Sequence, residues 1–186
     1  MTDAQPARTP RADARRNRAR VLEVAAEVFA TEGLSVPVHE IARRAGVGTG
    51  TVSRHFPTKE DLFAAILLGR MAELTERADT LARTREPGPA FFEFFAVLVR
   101  EGATHRGLAE ALAGAGYDLD TVGVRSGFDV SGQLRDLLER AQQAGAVRTD
   151  VAYLDVKALM TGCMSREDSG SGLDPLIAVI CAGLRA

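Results

Sequence analysis

Apolar residues recur every three or four positions through most of the chain, and glycines and prolines cut that pattern into segments, which predicts helices. The first runs from about Asp13 or Asn17 to Glu32. Val21, Leu22, Ala25, Val28 and Phe29 share its inner face, and Gly33 ends it. Val38, Ile41, Ala42 and Ala45 mark a second, shorter helix, with Gly46 placed as a left-handed C-terminal cap. A third spans roughly Thr49 to His55, and Pro57 forbids its continuation. Thr58 then stands as an N-cap, with Asp61 three residues on in a capping-box position. Small Ala42 lets two helices cross closely, Gly46 makes the corner, and Val52 and Phe56 turn the third helix inward. This is a helix-turn-helix pattern.

From Thr58 an apolar stripe of Phe63, Leu67, Leu74, Ala78 and Leu81 continues to about Thr84, and Pro87 stops it. At 1.5 Å per residue this helix is a rod of roughly 35–40 Å. With one end under the third helix and the other in the rest of the chain, it can carry a mechanical signal. The next segment, Pro89 to about Thr104, holds Phe91, Phe92, Phe94 and Phe95, half of the eight phenylalanines. A helix apolar nearly all round is a central one, surrounded by others. After a short helix around Gly107–Ala113, the stretch AGAGYDLDTVGVRSGFD reads as a long loop, either functional or disordered. Tyr117, Arg125 and Phe128 are its recognition-capable side chains. Ser131 to Gly145 forms an amphipathic helix, and Asp150 caps another carrying Val151, Leu154, Val156, Leu159, Met160 and Cys163. Residues 165–172 read as a flexible connector, and Asp174-Pro175 opens the last helix.

The outward face of the third helix differs from the others. With Val52 and Phe56 turned inward, about 100° per residue points Gly50, Thr51, Ser53 and Arg54 the other way, with His55 on the flank. Short hydroxyls, a glycine and a cation pack poorly against another apolar element. They suit a DNA groove, where hydroxyls and N–H groups bind phosphate and arginine reads base edges or phosphate. The bland alternative is an ordinary solvated helix face.

Composition narrows the classes. At 186 residues, 46% apolar and 26% charged, the chain is an ordinary globular length and mixture, able to bury a core. It holds no run of about 18 apolar residues and no signal-peptide core, so the expectation is a cytoplasmic protein without a membrane span. The net charge of −2 hides an asymmetry: residues 1–60 carry ten basic and seven acidic side chains, the remainder 13 and 18. A basic head on an acidic body fits nucleic-acid binding by the head. Residues 1–14, rich in Pro, Ala, Thr and Arg, read as a disordered arm. Arg8 and Arg11 fit a groove-seeking arm or a solubilising tail equally; Arg18 and Arg20, at the helix start, fit phosphate contact better. Cys163 and Cys181 lack a CxxC partner, and His39, His55 and His105 are scattered, so neither a metal nor any other cofactor is called for. No nucleophile motif or phosphate loop is present, which argues against an enzyme.

The stretch AGVGTGTVSRHFPTKEDLF, with VLEVAAEVFATEG upstream, resembles the signature of the tetracycline-repressor (TetR) family of bacterial transcriptional regulators. The resemblance covers about residues 17–68. It implies an all-α homodimer with an N-terminal three-helix DNA-binding head, a linking fourth helix and a helical ligand-binding and dimerisation body. The matching divisions are an arm at 1–14, a head at 15–60 and a body at 61–186. Family members usually carry Ser at the position of Gly48, Tyr at that of Ser53, and Thr or Ser at that of Pro37. The expected contacts to double-stranded DNA come from Arg18, Arg20, Gly48, Thr49, Gly50, Thr51, Ser53, Arg54, His55 and Lys59.

By the same resemblance a ligand cavity lies beside the central helix, with Leu67, Met71, Phe92, Phe95, His105, Tyr117, Phe128 and Met160 as its expected lining. The last two helices pair across a two-fold axis, through Val156, Leu159, Cys163, Leu176, Ile177 and Ile180. The function expected is a repressor that binds a palindromic operator as a dimer and is released by a small, largely apolar molecule. The alternative is an activator, or a redox-responsive regulator acting through Cys163, with the same head.

Overall fold

The computed structural model describes residues 10–166 and 172–186, with side chains from Asp13 onward. Among the described residues there are ten helices and no strand: α1 (Pro10–Glu32), α2 (Val38–Ala45), α3 (Thr49–His55), α4 (Lys59–Thr84), α5 (Pro87–Thr104), α6 (Arg106–Gly114), α7 (Leu119–Arg125), α8 (Val130–Gln143), α9 (Tyr153–Met164) and α10 (Asp174–Leu184). The chain forms two compact units, Met1–Ile66 and Leu67–Ala186, which divide inside α4 rather than near residue 60.

The first unit is held by a small apolar centre. Val21, Ala25 and Phe29 of α1 meet Ile41, Ala42 and Ala45 of α2, Val52 of α3, Phe56, and Leu62 and Phe63 of α4, all buried. Phe29 and Phe63 pack edge to face with ring centroids 5.0 Å apart. Gly46 takes the left-handed conformation (φ 68°) that closes α2, and its N–H donates to the carbonyls of Ala42 and Arg43. Thr58 and Asp61 form the expected reciprocal cap: the Asp61 N–H donates to Thr58 Oγ1 (3.1 Å) and the Thr58 N–H to Asp61 Oδ2 (3.0 Å). Pro37 stands one place earlier than a first helical residue, as the N-cap of α2.

The second unit is arranged around α5. Phe91, Phe94, Phe95 and Val99 are wholly buried, and α5 packs against both α8 and α9, as an all-round apolar helix must. An isolated antiparallel bridge between Val147 and Arg185 ties the α8–α9 turn to the C-terminus.

Four local expectations are corrected. α1 begins at Pro10, so residues 10–14 belong to a helix rather than to an arm; residues 1–9, including Arg8, lie outside the described residues. The long loop after α6 contains α7, capped by Asp118, whose carboxylate accepts from the Thr121 hydroxyl at 2.5 Å and from its N–H at 3.4 Å. α8 starts at Val130, where the Asp129 carboxylate accepts the Gly132 N–H at 2.8 Å. Asp150 does not cap α9: it is taken by the Arg148 guanidinium at 2.6 Å, and Asp155 accepts the Ala152 N–H at the helix start instead. Most of the connector expected at 165–172 lies outside the described residues.

Candidate nucleic-acid interface and ligand cavity

The interface is built by the corner at Gly46 and by burial of one side of α3. Because Val52 (0% exposed) and Phe56 are locked in the core, Gly50, Ser53, Arg54 and His55 are forced outward and all are exposed; Thr51 is half-buried. Gly48 is the N-cap of α3 in an extended conformation, with no side chain to accept an orphan N–H. Thr49 follows, exposed, at the first helical position. A Cβ placed on Gly50 would meet no atom within 4 Å, so the α3 backbone is open to a close approach there.

On α1, Arg18 and Arg20 are exposed. The Arg18 guanidinium lies 5.3 Å from the centre of the Phe56 ring, which holds that cation beside the end of α3. Lys59 behaves otherwise. Its ammonium donates to the Leu34 carbonyl and stands 5.6 Å and 5.9 Å from the Phe29 and Phe63 rings. The side chain thus has partners inside the head as well as a half-exposed position beside α3.

A brace absent from the sequence reading holds α1 to α2. Arg44 donates to Glu32 of α1 (Nη2 to Oε2, 3.0 Å) and to Glu40 (2.8 Å), and Arg43 grips the same Glu40 with two bonds. Hydrogen bonds from Arg43 and then Arg44 hold the Glu40 carboxyl down at about 2.

Within the second unit lies a largely apolar cavity of about 210 Å³. Successive turns of α4 (Leu67, Met71, Leu74) and α5 (Leu98, Gly102, His105) line it, with further walls from α6, α7, α8 and α9. Gly102 sits where the Met164 thioether crosses α5: a Cβ there would fall 1.9 Å from Met164 Sδ. Polar groups are few. Asp120 accepts from Lys157 (2.7 Å) and from the Ser131 hydroxyl (3.0 Å), joining α7 to α9 and α8. Such a site can bind and orient a small molecule; nothing in it sets up a nucleophile beside a base.

Residues 21–66 match the model of bacterial regulatory proteins of the tetR family, and residues 86–186 match that of the SbtR-like transcriptional regulator C-terminal domain. A TetR transcription regulatory protein from Mycobacterium vanbaalenii is 45% identical, with a TM-score of 0.74 over 96% of this chain and 100% of that one. A TetR transcriptional regulator from Streptomyces coelicolor is 30% identical, with a TM-score of 0.71 over 90% and 98%. This chain belongs to the TetR family. It is a DNA-binding transcriptional regulator, not an enzyme. HTH-type transcriptional regulators of Staphylococcus aureus are 43% identical over 53 residues, and the chain spans 29% of the length of those curated relatives. No helix of the described residues is long and apolar enough to cross a membrane.

In this TetR-family body, four of the eight expected cavity residues line the cavity: Leu67, Met71, His105 and Met160. The other four do not. Phe95 is wholly buried in the core, and Phe92 lies under the Arg185 guanidinium, 4.6 Å from its ring centre. Tyr117 is exposed before α7, and Phe128 is half-buried between α7 and α8. The lining that was missed includes Arg70, Glu101, Tyr153 and Lys157. Helical spacing carried the signal, since Arg70 follows Leu67 by three residues and Glu101 precedes His105 by four.

The expected dimer residues also divide. Val156 (0% exposed), Cys163 and Ile177 are buried within the chain's own core, and Leu176 and Ile180 pack half-buried against it. Leu159 is exposed, and on α9 and α10 Leu154 and Val179 share that exposure. Cys163 and Cys181 are unbonded, and burial pushes both thiols up, away from the reactive thiolate.

Proposed function

We propose that this TetR-family regulator is a repressor whose operator complex is released when a small, largely apolar effector fills the body cavity. The cavity carries the reading: a largely apolar, partly open site in the same chain as a DNA-binding head has an evident use as a sensor. The head would dock through Gly50, Thr51, Ser53 and Arg54, with Arg18, Arg20, Gly48, Thr49 and His55 at its margins. Two heads related by a two-fold axis would enter successive major grooves roughly 34–36 Å apart, so the operator is palindromic.

The dimer contact we assign to the outer faces of α9 and α10. Leu154, Leu159 and Val179 are exposed there, and exposed small residues on the same helices (Ala158, Gly162, Ala178, Ala182) would let helices approach closely. A swing from 99:1 bound to 1:99 requires the effector to prefer the released conformation by about 5.5 kcal/mol. α4 runs through both units and is the covalent route between cavity and head.

Deleting the gene tests the sign of regulation. Transcripts beside the operator rise for a repressor; a fall makes the protein an activator.

A further inference from the structure

The cavity wall carries two cations and two anions, Arg70 and Lys157 against Glu101 and Asp120. Lys157 and Asp120 are bonded to each other at 2.7 Å, and Arg70 is bonded to Glu73 at 2.7 Å. A ligand with a full charge would have to break one of these pairs or lie unpaired against hydrocarbon, losing its hydration without recompense. Glu101 pairs only with His105 among the described residues, so an ammonium is the rival occupant. Against it stands the largely apolar remainder of the wall, where an ammonium would lie without further partners.

His105 supplies the remaining polar edge. It joins α5 to α6, is 7% exposed, and has Nε2 3.6 Å from Glu101 Oε2, while its buried Nδ1 has no hydrogen-bond partner. Burial pushes the imidazole below its ordinary pKa, so the ring is neutral with one N–H and one lone pair. With the N–H turned toward Glu101, the lone pair on Nδ1 is an acceptor without a donor, a rare state for a buried group. Nδ1 is covered by protein here, and rotation about χ2, a broad torsion in histidine, is the motion by which it would meet a ligand in the cavity.

Size sets the rest. At about 210 Å³ the cavity is smaller than the ~300–1,000 Å³ of drug-sized sites. At the ~0.74 packing density of protein interiors it holds roughly ten heavy atoms.

We propose that the cavity takes an uncharged, mostly hydrocarbon molecule of about ten heavy atoms bearing one hydroxyl or N–H donor, and that His105 selects for that donor. The proposal rests on the reading of this cavity as the effector site. Calorimetric titration of the full chain with 1-octanol, its isomer heptyl methyl ether, octanoate and octylammonium tests it. The alcohol is expected to bind about tenfold tighter than the ether, which lacks only the donor, and at least tenfold tighter than either ion. His105→Phe should bring alcohol and ether to equal affinity, and His105→Gln, which keeps an acceptor, should restore the difference.

Equal binding of alcohol and ether by the wild-type protein overturns the proposal, as does tighter binding of either ion or binding of none of the four. If His105→Phe does not fold, the alcohol–ether comparison in the wild type decides alone. Should 1-octanol bind as expected and leave the operator complex intact, the ligand class stands and release by that ligand falls.

Discussion

The head and the body use the same element to opposite ends. In the head a few short helices bury one side so completely that the other side of α3 is left as an exposed polar strip on contiguous residues. In the body the useful surface is internal, a largely apolar space whose walls come from α4 through α9 and whose cations are already paired. The first arrangement presents unsatisfied donors to a highly charged partner. The second offers almost none, and so favours a small molecule that brings little charge. Recognition by the head depends on local geometry, and recognition by the body on how distant segments pack.

That contrast can be pressed with substitutions. The largest effect is expected for Phe94→Ala, which empties a wholly buried site in the body core. It should cost about 3–5 kcal/mol in urea unfolding, through lost transfer energy and the cavity left behind. Arg54→Ala should leave unfolding unchanged and weaken operator binding by about 1–3 kcal/mol in an anisotropy titration, the worth of a bidentate base contact. Unaltered affinity removes Arg54 from the interface.

Lys59→Ala separates two roles within the head. Its ammonium serves the Leu34 carbonyl and two aromatic rings, so about 1 kcal/mol of stability should go while the salt dependence of DNA binding stays put. A salt slope flattened by about one unit would return it to the phosphates. Gly48→Ser is the mildest. A Cβ there meets only Thr51 Oγ1, at 3.9 Å, and the serine hydroxyl can accept an orphan N–H of α3. A few tenths of a kcal/mol of added stability is expected by thermal unfolding.

Much of the head was legible because its determinants are adjacent in sequence. Gly46 closes α2, Val52 and Phe56 orient α3, and Thr58 with Asp61 starts α4, each within a turn or two of what it controls. The Lys59 bond to the Leu34 carbonyl was not legible because the two lie 25 residues apart. The body was legible in outline, as a central α5 and a run of amphipathic helices, but not in its lining. Four neighbouring phenylalanines cannot be divided between core and cavity until α8, α9 and Arg185 are placed around them. The same holds for Val156 and Leu154, two residues apart on α9 and fully buried and widely exposed respectively. α7 was missed because its stabilising contact, the Asp118 cap, sits in a glycine-rich stretch with the composition of a loop.

DNA recognition is assigned to the exposed strip of α3. Selecting genomic DNA fragments with the purified protein and footprinting the enriched sequence tests it most directly. Two protected patches in successive major grooves, about 34–36 Å apart, are predicted, and a Ser53→Ala/Arg54→Ala protein that unfolds like wild type should lose both. An enriched site protected equally well by that double variant would contradict the account.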